Sequence, residues 1–302
     1  MNAVPTTDGE WGRRITLRPS ADKITRDNVR EHGPSICCDF YIQGIERTAE
    51  ALPWGFRDGD LENLDHHAPE ARFEHLVSSA NLAITRVQAV GVAPDNVAVV
   101  INHTDCDSIL SSAIVAGLLD PDERYGAAAI AADHSGEPNA IADLLQSLDR
   151  QRNIELSLRS LAALERGSML PDIAVEKLAI RLSKRDAAEA AVAEGRFQSQ
   201  DGVMWAKLDF EIDGEFFPRL MPDAKVIVIS YPNLSGTAPF VMKARLGLGA
   251  PEGMSLHQLD IKEHVDPAYG GRWDAGSTRR GKGTVMGVEE WALKLAARMT
   301  SQ

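Results

Sequence analysis

Cysteine is scarce in this chain. There are three in 302 residues, Cys37 and Cys38 adjacent and Cys106 inside a charged cluster, too few to build a disulfide framework. A reducing cytoplasm is the expected location. Long apolar runs are missing as well: none approaches the roughly 18 residues that a membrane span requires. The segment from Met1 to Arg14 lacks the basic-then-apolar layout of a secretory signal, so neither export nor membrane insertion is expected. No internal repeat or low-complexity tract is present, which excludes solenoids and arrays. Positive charge is also in deficit, with a formal net charge of −12. The field of such a molecule repels polyanions, so long nucleic acid is a disfavoured partner and a small ligand a favoured one. What remains is ordinary globular usage, 44% hydrophobic and 25% charged, in a chain long enough for two modest domains.

The segment 1–35 is polar, punctuated by Pro and Gly, and reads as an extended arm. From Glu70 to Val90 apolar residues recur at helical spacing (Phe73, Leu76, Val77, Ala80, Ile84, Val87), after an Ala68-Pro69 start signal and before a Gly91 C-cap. Val97 to Ile101 is a short β-branched run, the mark of a strand buried on both faces. A helix over Ile109–Leu119 follows, then a second unit with Ala127–Ala132 as strand and Asn139–Leu148 as helix. The stretch 154–194 is helical throughout and reads as a connector. After Gln200 strands are predicted over Val203–Phe210, Val226–Ser230 and Phe240–Leu246, and a last amphipathic helix over Val288–Met299. The predicted fold is α/β, with a largely parallel sheet flanked by helices in a domain over 36–195 that includes the connector. A smaller mixed α/β domain covers 196–302, with the boundary near 195–202.

Two acidic-imidazole clusters stand at predicted strand ends, Asp65-His66-His67 and His103-Thr104-Asp105-Cys106-Asp107, and a third, Asp133-His134, follows. Together they hold four of the eight histidines. Hard carboxylate oxygens and borderline imidazole nitrogens converging from several strand ends are what a divalent-metal site needs. In an extended backbone, residues 103, 105 and 107 point the same way, so one His and two Asp can face one cation. The competing reading is a polar loop in which Asp107 or Ser108 caps the next helix. That reading leaves two crowded carboxylates with no cation between them. Adjacent His66 and His67 point in opposite directions, so one binds metal and the other is free to contact substrate. Cys106 is read as a packing residue, and His32, His75, His257 and His264 as surface or ordinary hydrogen-bonding residues.

Tyr269 to Gly283 carries five glycines and four cations in an otherwise acidic protein. Glycine permits close backbone approach, and arginine grips carboxylate or phosphate in bidentate fashion. The stretch therefore reads as an anion clamp built from Gly270, Gly271, Arg272, Arg279, Arg280 and Lys282. The alternative is a solvated loop before the last helix.

On these residues the chain resembles the DHH phosphoesterase superfamily. His103-Thr104-Asp105-Cys106-Asp107-Ser108 is similar to the family's first metal motif, and Asp65-His66-His67 has the letters of its signature tripeptide. Val241 to Arg245, Gly270-Gly271 and Ala275-Gly276 are similar to the DHHA1-like substrate-binding domain. The order departs from the family's, because here the tripeptide precedes the His/Asp cluster. Either the tripeptide is fortuitous and Asp133-His134 fills the later motif's place, or the site has been reassembled. Arg272-Trp273 also stand where a histidine commonly follows the glycines, and a cation with an indole suits an aromatic or carboxylate-bearing ligand equally well.

The resemblance implies a metal-dependent hydrolase that attacks a small anionic substrate, a phosphoester or nucleotide, with metal-activated water. The expected cofactor is one or two divalent ions, Mn²⁺, held by His103, Asp105, Asp107 and Asp133 with Asp65 and His66. His67 or His134 then acts as proton donor, and a homodimer is the expected assembly. Alternatives are a hydrolase of a C–N or similar bond and a non-catalytic nucleotide-binding regulator. On this reading Asp107→Asn abolishes activity and leaves the fold intact.

Overall fold

The computed structural model describes residues 14–18, 24–31, 33–67 and 77–301, apart from the side chain of Arg280. The Ala68-Pro69 signal, the helix start with Glu70, Phe73 and Leu76, and His32 and His75 lie outside the described residues. The chain forms two compact units. The first runs through Asp133 and adds Pro138–Arg181; the second takes His134–Glu137 and everything from Leu182.

The first unit holds β1 (Ile15–Leu17), α1 (Arg26–Arg30), β2 (Ser35–Cys38), β3 (Glu50–Leu52), β4 (Gly55–Asp58) and β5 (Leu61–Leu64). These are followed by α2 (Ser79–Val90), β6 (Ala98–Ile101), α3 (Cys106–Val115), α4 (Glu123–Ile130), α5 (Ala140–Leu148) and α6 (Ile154–Arg166). The long α7 (Asp172–Ala193) begins in this unit and ends in the second. The sheet order is β1-β6-β2-β5-β4-β3. It is mixed, which corrects the largely parallel sheet expected from the sequence. The pairs β1/β6, β6/β2 and β2/β5 are parallel, while β5/β4 and β4/β3 are antiparallel. The reason is local. Gly59 takes φ +64 between β4 and β5, a left-handed turn that sends the chain straight back on itself instead of through a helical crossover. Within the arm, residues 15–17 form the edge strand β1 and residues 26–30 the helix α1.

The run Ala98–Ile101 is a strand as expected, buried because α3 packs beside it and strands lie on both flanks. Helix α2 starts at a capping box, in which the Ser78 side chain accepts from the Asn81 backbone, and stops at Gly91 with φ 84. The predicted strand Ala127–Ala132 is not a strand. Asp122 caps a helix by accepting from Arg124 N–H, and the alanines propagate it as α4. Alanine is the strongest helix former, and only Ile130 in this stretch is β-branched. The helix runs into a π turn over residues 131–135. The connector is two helices, α6 and α7, separated where Gly167 takes φ 63.

The second unit holds β7 (Gln198–Gln200), β8 (Val203–Lys207), β9 (Val226–Pro232), β10 (Phe240–Leu246), α8 (Ile261–His264), β11 (Gly270–Gly271), β12 (Ala275–Ser277) and α9 (Val288–Thr300). Its mixed sheet has the order β11-β12-β10-β9-β8-β7, with only β8/β9 parallel. Trp291 and Leu295 of α9 pack with Val203, Trp205 and Val228 on one face. Ala188 and Ala191 of α7, with Phe216 and Phe217, pack with Ile227 and Ile229 on the other. Among the described residues no helix is long and apolar enough to cross a membrane.

Candidate metal centre

Three neighbouring parallel strands, β5, β2 and β6, each lead within two residues into an acid or a histidine. Strand β5 leads into Asp65-His66-His67, β2 into Asp39, and β6 into Asn102-His103-Thr104-Asp105 before α3. Parallel strands in register bring their carboxyl ends to one edge, the usual place for a ligand in an α/β sheet. Asp133 reaches the same place from the π turn after α4.

Asp39 is the hub, and the sequence reading missed it. It is fully buried, with φ 61, a conformation that aspartate tolerates better than most side chains. Ser79 and Ser108 donate hydroxyl bonds to its two oxygens at 3.0 and 2.7 Å. His103 Nε2 stands 3.1 Å from Oδ2, and His66 Nε2 and His67 Nδ1 stand 3.5 and 3.7 Å from Oδ1. Among the described residues two groups of side chains that could ligate a metal result: Asp39, His66, His67 and Asp133, and Asp39, His103 and Asp105. Within each group one ligand atom per residue lies within 4.8 Å of the others. Asp39 belongs to both. A lone aspartate with no neighbouring histidine gives no cluster to find. The usable signal was its position after the short apolar strand Ser35–Cys38, the same pattern that precedes Asp65.

The other expected residues divide. His66 Nε2 lies 3.3 Å from Asp133 Oδ2, and His103 Nε2 lies 3.1 Å from Asp105 Oδ2. Asp105 also caps α3, its Oδ1 accepting from Ser108 N–H at 3.0 Å, so cap and candidate ligand coexist in one side chain. Asp65 lies in neither group. Its Oδ1 is 2.6 Å from His67 Nδ1, and among the described residues its buried Oδ2 has no hydrogen-bond partner. Asp107 comes within 3.5 Å of His66, but both of its oxygens accept backbone N–H groups of Ser79 and Ala80, at 2.7 and 2.6 Å, at the start of α2. His134 belongs to the second unit, where it is buried with Nδ1 3.7 Å from Asp274 Oδ2.

Two of the clamp arginines are engaged within the protein. Arg272 Nε pairs with Asp274 at 2.7 Å. Arg279 pairs with Glu211 at 2.6 Å and donates to the Tyr231 hydroxyl at 2.9 Å. Lys282 is exposed in a left-handed turn with φ 68. Gly270 and Gly271 form β11, where a Cβ on Gly271 would stand 2.3 Å from the Gly276 Cα; close strand approach accounts for that glycine. The side chain of Arg280 lies outside the described residues. Cys106 is buried in the core, and burial pushes its thiol up, as its reading as a packing residue requires.

Electrostatics test whether a cation fits. Burial alone would raise the Asp39 carboxyl, yet hydrogen bonds from His103 and His66 and the charges of His103 and His67 hold it well below the usual range. Burial disfavours charge on His66 and His103, but bonds to Asp133, Asp39 and Asp105 raise both well above the ordinary imidazole value. Burial and Asp39 push Asp107 up, against the two main-chain N–H donors that favour its carboxylate form. Among the described residues the ion-pair partners of Asp39 are imidazoles, not lysine or arginine. Buried carboxylates held by protonated imidazoles are a donor set whose protons a divalent cation can replace. Mixed carboxylate and imidazole donors suit Mn²⁺ or Zn²⁺ more than Ca²⁺, which takes oxygen ligands only.

No family model matches the sequence, and no curated protein matches it. Among solved structures, a pGpG-specific phosphodiesterase, PggH, from Vibrio cholerae is similar with a TM-score of 0.31 and 9% identity. The match covers 41% of this chain and 44% of that chain. The chain thus spans less than half the length of the structure it matches. A likeness this slight carries no argument about fold or chemistry.

Proposed function

We propose that the chain is a divalent-metal-dependent hydrolase of the DHH type, acting on a small anionic substrate, a phosphoester or nucleotide. The observation that carries the reading is the sharing of buried Asp39 between two groups of buried and half-buried side chains able to hold a metal ion. Asp39, His103 and Asp105 would hold one divalent ion, and Asp39, His66 and Asp133 a second, with Mn²⁺ the candidate. Such ions supply Lewis acidity and lower the pKa of a water toward neutrality. The chain's own residues do the rest. Ser79 and Ser108 hold the shared carboxylate in one orientation. Asp65, fixed at 2.6 Å from Nδ1 of His67, holds that ring as a proton donor to a leaving group. His134 is the second candidate donor. Gly270, Gly271, Arg272, Arg279, Arg280 and Lys282 are the candidate contacts to the substrate's anion, and a homodimer is the proposed assembly.

Hydrolysis of a non-phosphate bond in a carboxylate or aromatic substrate is the second reading. The pairing of Arg272 with Asp274 and of Arg279 with Glu211 favours the aromatic substrate, because it takes up positive charge that any anion, phosphate or carboxylate, would need. Elemental analysis of the purified protein, followed by turnover of bis-(p-nitrophenyl) phosphate with added Mn²⁺, tests both. Two equivalents of metal with metal-dependent turnover are expected. Full metal occupancy without turnover would transfer the assignment to the non-phosphate reading, and absence of any divalent metal would sink both.

A further inference from the structure

We infer that Asn102 is a positioning residue for His103, and that the turn after α5 holds this arm of the site independently of the other. The inference rests on the two-group reading of the metal centre. Asn102 leaves β6 with its side-chain Oδ1 against Nδ1 of His103. An amide oxygen can only accept, so Nδ1 must carry the hydrogen. The neutral ring then presents the lone pair of Nε2, and that atom stands 3.1 Å from both Asp39 Oδ2 and Asp105 Oδ2. Without a group that accepts from Nδ1, the ring could rotate or place its hydrogen on Nε2, which cannot then ligate.

The backbone beneath is gripped residue by residue. Arg152, in a left-handed conformation with φ 49, donates from Nη2 to the carbonyls of Asn102 and Arg18, both at 3.1 Å, and so ties the ends of β6 and β1 together. Thr104 donates its N–H to Asp149 Oδ1 at 3.3 Å and its hydroxyl to the Asp149 carbonyl at 2.8 Å. Cys106 donates its N–H to Gln146 Oε1 at 3.2 Å. Residues 102, 104 and 106 are therefore anchored to the end of α5 and the turn that follows. The alternate residues 103 and 105 face Asp39, as the two-residue period of extended chain requires. His66 and His67 follow β5 and Asp133 follows α4, so a fault at Asn102 should reach one group only.

The test is a calorimetric Mn²⁺ titration of the full chain. Wild type is expected to bind two ions. Asn102→Leu should weaken one site by about 10- to 100-fold, the usual effect of removing a hydrogen-bond partner of a ligating histidine, and leave the other unchanged. Asn102→Asp should keep both sites, because a carboxylate also accepts from Nδ1. Asn102→Ala makes the same comparison with the smallest disturbance, should the leucine variant not fold. Nitrogen NMR of the Zn²⁺-loaded wild type should find the His103 hydrogen on Nδ1. Two unchanged sites in Asn102→Ala, equal weakening of both, or a hydrogen on Nε2 would each overturn the role given to Asn102. A wild type that binds no ion would overturn the metal reading itself.

Discussion

Asp39 and Asp107 are both buried aspartates at the edge of the same sheet, and their hydrogen bonds give them different work. Asp39 accepts from two serine hydroxyls and three imidazoles face it, all groups that can turn or lose a proton when a cation arrives. Asp107 accepts two main-chain N–H groups that cannot move without unwinding α2. A carboxylate satisfies both donors, but an amide can satisfy only one and turns its NH₂ against the other. Asp107→Asn should therefore cost about 2 kcal/mol of stability, the range for losing a charge-assisted bond to a buried donor, read as a lower urea midpoint. The sequence alone suggested an intact fold for this variant. An unchanged midpoint with one cation site lost would reinstate Asp107 as a ligand. Spacing along the chain made His103, Asp105 and Asp107 equivalent; only the start of α2, packed from elsewhere, separates them. Asp39 was passed over for the converse reason, because its partners come from β5, β6, α2 and α3 and only its place after a short apolar strand marked it.

Elements were readable where one force set them. The β-branched run at Ala98–Ile101 and the amphipathic α9 were legible because burial and propensity agree. The stretch Ala127–Ala132 was misread because alanine suits a buried strand or a helix by polarity alone, and the Asp122 cap decides the matter. The meeting of two clusters far apart in the chain is also explained at this scale. Strands β5, β2 and β6 are neighbours in the sheet whatever their order in the chain, so the Asp-His-His tripeptide can precede the His/Asp cluster and still meet it. Asp133 reaches them from a π turn, a feature frequent at functional sites. That turn is followed by Gly136 at φ 72, where a Cβ would stand 2.0 Å from the Glu215 carbonyl oxygen. Arg185 and Arg219 donate to the Gly136 carbonyl at 2.7 and 3.1 Å, so the segment cannot shift freely to make room. Gly136→Ala should cost at least about 1 kcal/mol from the left-handed backbone alone. It should also weaken cation binding at the group containing Asp133 while sparing His103 and Asp105. Wild-type stability and two wild-type affinities in that variant would show that the turn is looser than its contacts imply.

For the molecule as a whole, the same buried charges tie stability to pH in opposite senses with and without cation. In the cation-free protein His66 and His103 hold protons well above the ordinary imidazole value. Below about pH 6.5 the unfolded chain binds those protons too, and their contribution to stability is fully present. As pH rises past 6.5 the unfolded histidines release protons first, and the contribution shrinks until the folded pKa is passed and it is gone. Asp39, held well below the usual range, adds stability above about pH 4 that is lost only as pH falls through its folded value, so it is constant across this window. A divalent cation competes with the imidazole protons, so its affinity rises with pH and binding releases protons. Because a cation that binds only the folded chain stabilises it by mass action, the loaded protein gains where the cation-free protein loses. Melting temperatures measured from roughly pH 6 to 8 should fall with pH in EDTA, and the difference between Mn²⁺-saturated and EDTA samples should widen. Two curves that stay parallel across that range would show that the protons on His66 and His103 and the ion do not share a site, and the metal centre would lose its physical basis.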